Sequence, residues 1–310
     1  MTARRFVIAT RGSQLALWQA HHVKERLEAV RPGCEVELAI IKTSGDLIQD
    51  IPLAKVGGKG LFVKEIEHAL LARTADLAVH SMKDLPPELA AGLKIAGVSS
   101  REVPWDALCM RGPGDIDSLP NGAVVGTSSM RRQCQLLAHR PDLQIKMLRG
   151  NVPTRIAKLE AGEFDAVVLA AAGLVRLGMV DKITQLLPMN ISIPAVAQGV
   201  LAIEVRADDR DVEAAAYEAI NDAMTAPCVI AERAFLSKMG GSCTTPLAAH
   251  AAFDHDTDEL VLAGMCGMPD GSKILRGEVA GWPDDSIMMG EQLADDLLAQ
   301  GAGEILAATK

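Results

Sequence analysis

Along the first two thirds of the chain, short apolar runs alternate with longer stretches in which apolar and polar positions are mixed. Residues 4–9 are the first apolar run and predict a strand. Ser13 can cap a helix that reaches Val30 and stops before Arg31-Pro32-Gly33. A second strand is predicted over residues 35–41. It empties into residues 42–60, where Gly45, Gly57, Gly58 and Gly60 leave no sustained periodicity, which suggests a long mobile loop. A helix at residues 61–72 and a short buried strand at 76–80 follow. That strand presents Ser81-Met82-Lys83-Asp84 at its carboxyl end, the place where open α/β sheets hold ligands.

The pattern then restarts. Residues 122–125 predict a strand, Gly126-Thr127-Ser128-Ser129 a turn, and 130–139 a helix. Strands are predicted at 143–148 and 164–170, with a helix between them starting at Asn151 or Thr154 and ending near Gly162. Two βα series of similar build imply two α/β domains. Residues 196–206 predict one more strand, able to join the edge of the first domain and leaving 99–104 and 193–198 as a paired hinge. After Asn221 the style changes: a helix at 225–239, strands at 247–253, 259–265 and 273–279, and a helix at 286–299 suggest a small α+β domain.

At 310 residues, with 49% hydrophobic and 23% charged, the chain can bury several cores. No apolar run approaches the roughly 18 to 20 residues that cross a membrane, and MTARRFVIATRGS has no export-type apolar segment. A cytoplasmic location is expected. Six cysteines lack C-x-x-C spacing, so neither zinc nor a disulfide framework is signalled, and Cys34, Cys109, Cys134, Cys228 and Cys266 read as buried thiols. The net charge of −9 repels nucleic acid unless arginines gather on one face. Their placement therefore matters more than their number.

Arginines fall where loops meet helix starts: Arg11 beside Gly12-Ser13, Arg131 and Arg132 after Gly126-Thr127-Ser128-Ser129, Arg149 before Gly150-Asn151, then Arg155 and Arg176. Guanidinium groups match carboxylates bidentately, and helix N-termini add N–H donors, so this placement describes a polyanion site. For any single arginine the alternative is a solvated surface residue. Lys55 and Lys59 flank Gly57-Gly58, and solvated lysine is their plain alternative. Asp84, among basic groups, stays ionised and can stabilise a cation or exchange a proton, or else it caps a turn. Met239-Gly240-Gly241-Ser242-Cys243-Thr244-Thr245-Pro246 holds a cysteine in a tight loop, where its thiol can act as nucleophile or attachment point. His80, on a buried strand, reads as a hydrogen-bonded core histidine and not a metal ligand.

Taken together the motifs resemble those of the porphobilinogen deaminases. They are Ile8 to Ser13, Pro52 to Phe62, Val79 to Pro86, Val125 to Arg132, Leu148 to Asn151, and Glu232-Arg233 through Cys243 to Pro246, in the family's order and spacing. The resemblance implies two periplasmic-binding-protein-like α/β lobes with the active cleft between them, and a third, smaller α+β domain. Residues 1–98 with 199–219 would form the first domain, 104–194 the second, and 222–310 the third. It also implies a transferase that condenses four porphobilinogen molecules head to tail with loss of ammonia. The cofactor it implies is dipyrromethane, two linked pyrroles joined to Cys243 by a thioether. By the same resemblance Asp84 is the catalytic acid-base group near the pyrrole nitrogens, and Arg11, Ser13, Lys83, Ser129, Arg131, Arg132, Arg149, Gly150, Arg155 and Arg176 hold cofactor or substrate. Gln198 in the second crossover, Lys55, Lys59 and Phe62 are placed with the substrate. No metal, nucleic acid or membrane partner is implied, and a monomer is expected.

Two positions depart from the family pattern. Ser242 stands where a second glycine commonly precedes the cysteine, and Ala197 stands where glycine is frequent. Ser242 would alter access to the thiol, and Ala197 would stiffen the hinge by restricting φ. Two other readings compete. A two-lobed dicarboxylate-binding or sensing protein would share the fold without chemistry, and a cysteine hydrolase would need a histidine base that no local signature supplies.

Overall fold

The computed structural model describes residues 4–47, 63–241 and 245–309. It divides into two compact units, Met1–Glu102 with Gly199–Ala226, and Val103–Gln198 with Pro227–Lys310.

In the first unit, β1 (Arg5–Thr10) leads into α1 (Gln14–Val30), followed by β2 (Glu35–Ile40), the single turn α2 (Ser44–Leu47), α3 (Lys64–Leu71), β3 (Leu77–Ser81) and β4 (Leu93–Val98). The second unit opens with β5 (Asp106–Met110) and β6 (Val124–Gly126). It continues through α4 (Met130–His139), β7 (Gln144–Lys146), α5 (Val152–Glu160), β8 (Ala166–Ala170), α6 (Ala171–Arg176) and the two-residue β9 (Gln185–Leu186). The chain then returns to the first unit with β10 (Leu201–Arg206) and α7 (Arg210–Ile220). It ends with α8 (Thr225–Lys238), β11 (Leu247–Phe253), β12 (Leu260–Gly267), β13 (Ile274–Gly281), α9 (Ser286–Ala299) and α10 (Ala302–Ala308).

The first sheet has the order β2-β1-β3-β10-β4 and the second β7-β6-β8-β5-β9. In each, the first three strands are parallel and the fourth runs antiparallel to both neighbours. That fourth strand is in both cases the first one after the chain enters the unit, β10 after Gly199 and β5 after Val103. Every residue of β10 is buried, as a central strand covered on both faces requires. One face of the first sheet packs Ile8, Leu77 and Ile203 against Val23 and Leu27 of α1 and Ala216 of α7; the other packs Ala9 and Ala78 against Ile66 and Leu70 of α3. The second sheet is packed on both faces in the same manner, around Leu108, Val125 and Val168 on one side and Val167 and Leu169 on the other.

The third sheet is the antiparallel meander β11-β12-β13. Gly264 and Gly277 leave room on it for Leu293 of α9, where an added Cβ would come within 2.8 and 2.9 Å of that side chain. Cys134 of α4, Ile193, Ala248 and Met265 form a buried cluster shared by the second and third sheets.

The anticipated strand over residues 196–206 is shorter than its apolar run, because Ala197 and Gly199 take φ of +57° and +90° and the ladder starts only at Leu201. Residues 48–60 of the expected loop fall outside the described residues. Cys109, Cys134, Cys228 and Cys266 are buried, whereas Cys34 is half-buried, a correction to the expectation for that thiol. Burial pushes the thiols of Cys109 and Cys134 up to about 12 and that of Cys266 up to about 11, so they stay protonated near neutrality.

Candidate functional site

In the first unit the polar wall of a pocket is made by Arg11, Ser13, Gln19, His80, Ser81 and Asp84. Ser13 accepts from the Ala16 amide at 3.3 Å and so caps α1, which fixes where the β1–α1 loop places Arg11. Gln19, buried one turn further on, donates to Ser81 Oγ at 2.8 Å and ties α1 to the end of β3. Beyond Ser81 the chain makes a single 3-10 turn over Met82–Asp84, anchored by the Met82 amide donating at 2.9 Å to Val200 O, just before β10. This turn leaves Asp84 exposed at the pocket; Lys83 is half-buried. His80 is buried, with Nε2 2.9 Å from Oε2 of the fully buried Glu204 on β10.

In the second unit the β6–α4 turn is pinned from both sides. Ser128 Oγ donates to Leu148 O at 2.7 Å, and the Thr127 amide donates to Lys146 O at 3.0 Å. Ser129 caps α4, and Asn151 caps α5 by accepting from Thr154 N at 2.9 Å. Arg149 and Gly150 lie between β7 and the Asn151 cap. Gly150 sits at φ +110°, and a Cβ there would strike the Thr154 side chain, so the position demands glycine. Arg155 Nε donates to Gly150 O at 2.8 Å, and Arg176, the last residue of α6, is buried.

Arg131 and Arg132, in the first turn of α4, do not lie on the surface. Both are buried around Asp106, the first residue of β5, which is itself fully buried. Arg131 Nη1 and Nη2 reach the two Asp106 oxygens at 2.7 and 3.1 Å, and Arg132 Nε reaches Oδ1 at 2.9 Å. Ser192 donates to Oδ2 at 2.7 Å and Gln198 Nε2 to Oδ1 at 3.0 Å. Burial alone would push the Asp106 carboxyl up, but the two guanidinium groups overcome it and hold the carboxyl well below the usual carboxylate range. Two cations around one anion leave this buried cluster with an excess positive charge.

The structure thus gathers the expected residues into two sets. Arg11, Ser13, Lys83 and Asp84 belong to the first unit, while Ser129, Arg131, Arg132, Arg149, Gly150, Arg155, Arg176 and Gln198 belong to the second. Cys243, with Ser242 beside it, and Lys55, Lys59 and Phe62 lie outside the described residues. The flanks of Cys243 are fixed: Gly241 N donates to Leu236 O at 3.0 Å, and Pro246 O accepts from Gly267 N at 3.2 Å. Asp106 and Glu204 were missed from the sequence. Each is a single acid in or at the start of an apolar strand, Asp-Ala-Leu-Cys-Met and Leu-Ala-Ile-Glu-Val-Arg, and that misplaced charge was the available signal.

Among solved structures the chain is similar to a periplasmic substrate-binding protein of an ABC transporter from Coxiella burnetii, at 12% identity and TM-score 0.44 over 69% of this chain and 91% of that one. It is also similar to the periplasmic VFT2 domain of Bordetella pertussis BvgS, at 16% identity and TM-score 0.40 over 70% and 86%. Likeness at this level assigns no function. Family models are decisive. The porphobilinogen deaminase dipyromethane cofactor binding domain matches residues 6–214 and the porphobilinogen deaminase C-terminal domain matches residues 226–299, so the chain belongs to the porphobilinogen deaminase family of transferases.

Proposed function

We propose that Asp84 in the first unit carries the chemistry of the family's reaction and that the cationic residues of both units bind its carboxylates. The observation that supports this most is the unbalanced charge of the Arg131–Arg132–Asp106 cluster. A buried positive excess is costly until an anion offsets it. Each pyrrole ring of substrate and cofactor carries two carboxylates, so the residues present fit a dipyrromethane. Ser129, Arg131, Arg132, Arg149, Gly150 and Lys83 would hold it, with Cys243 as the thioether attachment. When bound, the cofactor supplies the primer on which substrate units are joined. Arg11, Ser13, Arg155, Arg176 and Gln198, with Lys55, Lys59 and Phe62, would receive porphobilinogen, each charged hydrogen bond contributing about 1.5–3 kcal/mol.

Loss of ammonia from porphobilinogen leaves a cation on the substrate. Asp84, exposed at the pocket, would stabilise that cation and exchange protons with the substrate. We read the five-stranded and three-stranded sheets of the second unit as separate domains, giving three in all. We further read the protein as a cytoplasmic monomer without a nucleic-acid partner, the last supported by its net charge of −9.

Intact mass measurement tests the reading. The parent protein should carry two covalent pyrrole units, and Cys243→Ser should be folded, adduct-free and inactive, because a hydroxyl is a far poorer nucleophile than a thiolate. A parent protein with neither adduct nor turnover would leave the binding-protein reading in its place.

A further inference from the structure

Under the proposed function a cofactor must meet two parts of the second unit at once. Cys243 attaches it, just before β11 of the third sheet, while Arg131 and Arg132 of α4, beside the second sheet, receive its carboxylates. Their spacing has to be set by whatever joins the two. Resting on that function, we infer that Gly267 is a positioning residue, which seats the attachment loop at the working distance from the arginine helix.

Gly267 ends β12 and touches both parts. Its amide donates at 3.2 Å to the carbonyl of Pro246, three residues beyond Cys243 in the chain, and so holds one end of the attachment loop. Its other side faces α4. A Cβ at Gly267 would come within 2.4 Å of Cys134 Sγ, about 1 Å short of ordinary contact. Cys134 is fully buried, packs with Ala248 and Met265 of the third sheet, and follows Arg131 by three residues, about 4.5 Å along the helix axis. The approach extends beyond this one contact. At Gly271, in the β12–β13 turn, a Cβ would lie 2.5 Å from Ala138 N and 2.9 Å from Cys134 O, so the turn rests on the backbone of α4. Gly267 does not share the positive φ of Gly271, so space and not backbone conformation excludes a side chain there. A strand gives up packing and entropy to hold a glycine, and close approach of a neighbouring element is what such a residue serves.

Attachment is the step that depends on this spacing. The Cys243 sulfur bonds to the exocyclic carbon of a pyrrole unit, the C–N bond of that carbon breaks, and the thiol proton leaves with the nitrogen as ammonia. Arg131 and Arg132 orient the ring carboxylates while the bond forms. Moving the loop by about 1 Å leaves thiol and arginines each intact but spoils their relation, and a misplacement of that size costs about 10²-fold.

The test supplies full-length apo protein with porphobilinogen and follows the adduct by intact mass. Gly267→Ala is expected to slow attachment about 10²-fold. In the same variant, iodoacetamide should alkylate Cys243 at the parental rate by peptide mapping, and denaturant unfolding should show a folded protein. Adding Cys134→Ala removes the obstructing sulfur and should recover most of the lost attachment rate, a coupling that two independent faults would not show. Should Gly267→Ala fail to fold, Cys134→Val presses on the same contact from the α4 side and must give the same split between slow attachment and normal alkylation. Attachment at the parental rate overturns the inference. So does a slow rate that Cys134→Ala leaves unrelieved, or alkylation slowed to the same degree as attachment. A parent protein without adduct, or with its adduct on another cysteine, would instead overturn the reading on which it rests.

Discussion

The two α/β units place a buried acid on the same strand of the same sheet order and give it different partners. Asp106 lies on β5 and Glu204 on β10, each the antiparallel fourth strand of its sheet. Asp106 meets two guanidinium groups, whereas Glu204 meets one imidazole. Guanidinium does not release its proton under any ordinary condition, so the first acid is locked as an anion inside a net positive cluster. An imidazole can exchange its proton, so the second acid has a partner that can change its charge. The fourth strand thus carries a locked anion in one unit and an imidazole-paired acid in the other.

Removing the locked acid should have the largest effect. Asp106→Asn leaves Arg131 and Arg132 buried opposite a neutral amide, and breaking a buried pair in this way costs about 3–5 kcal/mol. Amide hydrogen exchange should show protection lost in β5 and α4 while β1 and β3 keep theirs. The pH dependence has a definite sign. The folded carboxyl is held below its unfolded value of about 3.9, so its stabilisation is complete above that pH and is lost as pH falls below it. The gap between parent and variant should therefore be flat from about pH 6 to 8 and close on acidification below about pH 4. A gap that changes between pH 6 and 8 would mean that Asp106 is not the locked partner.

The next effect belongs to the other unit. Asp84→Asn keeps size and hydrogen bonding but removes the charge proposed to act on the substrate cation, and should slow single-turnover elongation at least about 10²-fold, equivalent to about 2.7 kcal/mol. Asp84→Glu should retain measurable activity because the carboxylate still reaches the pocket. A near-parental rate for Asp84→Asn would reduce the residue to a turn former and remove the contrast between a unit that carries the chemistry and one that does not.

Much of this arrangement was legible in the chain. The caps at Ser13, Ser129 and Asn151, the strand running into Asp84, and the restart of the βα pattern at Gly122 all depend on local spacing, and the elements form there. The strands β4, β5 and β9 and the helices α2, α6, α7 and α10 were not read. β4 and β5 are five or six residues long and mostly buried, without the alternation that marks a half-exposed strand. The site shows the same division. Arg131 and Arg132 were visible as a motif, but their burial around Asp106 depends on a strand 25 residues earlier, and the His80–Glu204 pair spans 124 residues. Contacts at that separation leave no periodic trace.

The smallest effect concerns the two left-handed residues near the return to the first unit. Gly199, in the first unit, sits at φ +90° where a Cβ would strike the Glu102 carbonyl, so glycine is required. Ala197, in the second, adopts φ +57° with its methyl group buried and its amide donating to Glu232 Oε2 at 2.5 Å. A left-handed alanine costs roughly 1–2 kcal/mol in backbone strain. Replacing it with glycine would relieve that strain but lose about 0.8 kcal/mol for the buried methyl and about 0.4–1 kcal/mol through a more flexible unfolded chain. The terms nearly cancel, so Ala197→Gly should change stability by less than about 1 kcal/mol in denaturant unfolding. A destabilisation of about 2 kcal/mol or more would show that the methyl group is a packed strut and that strain is not what this departure from the family pattern introduces.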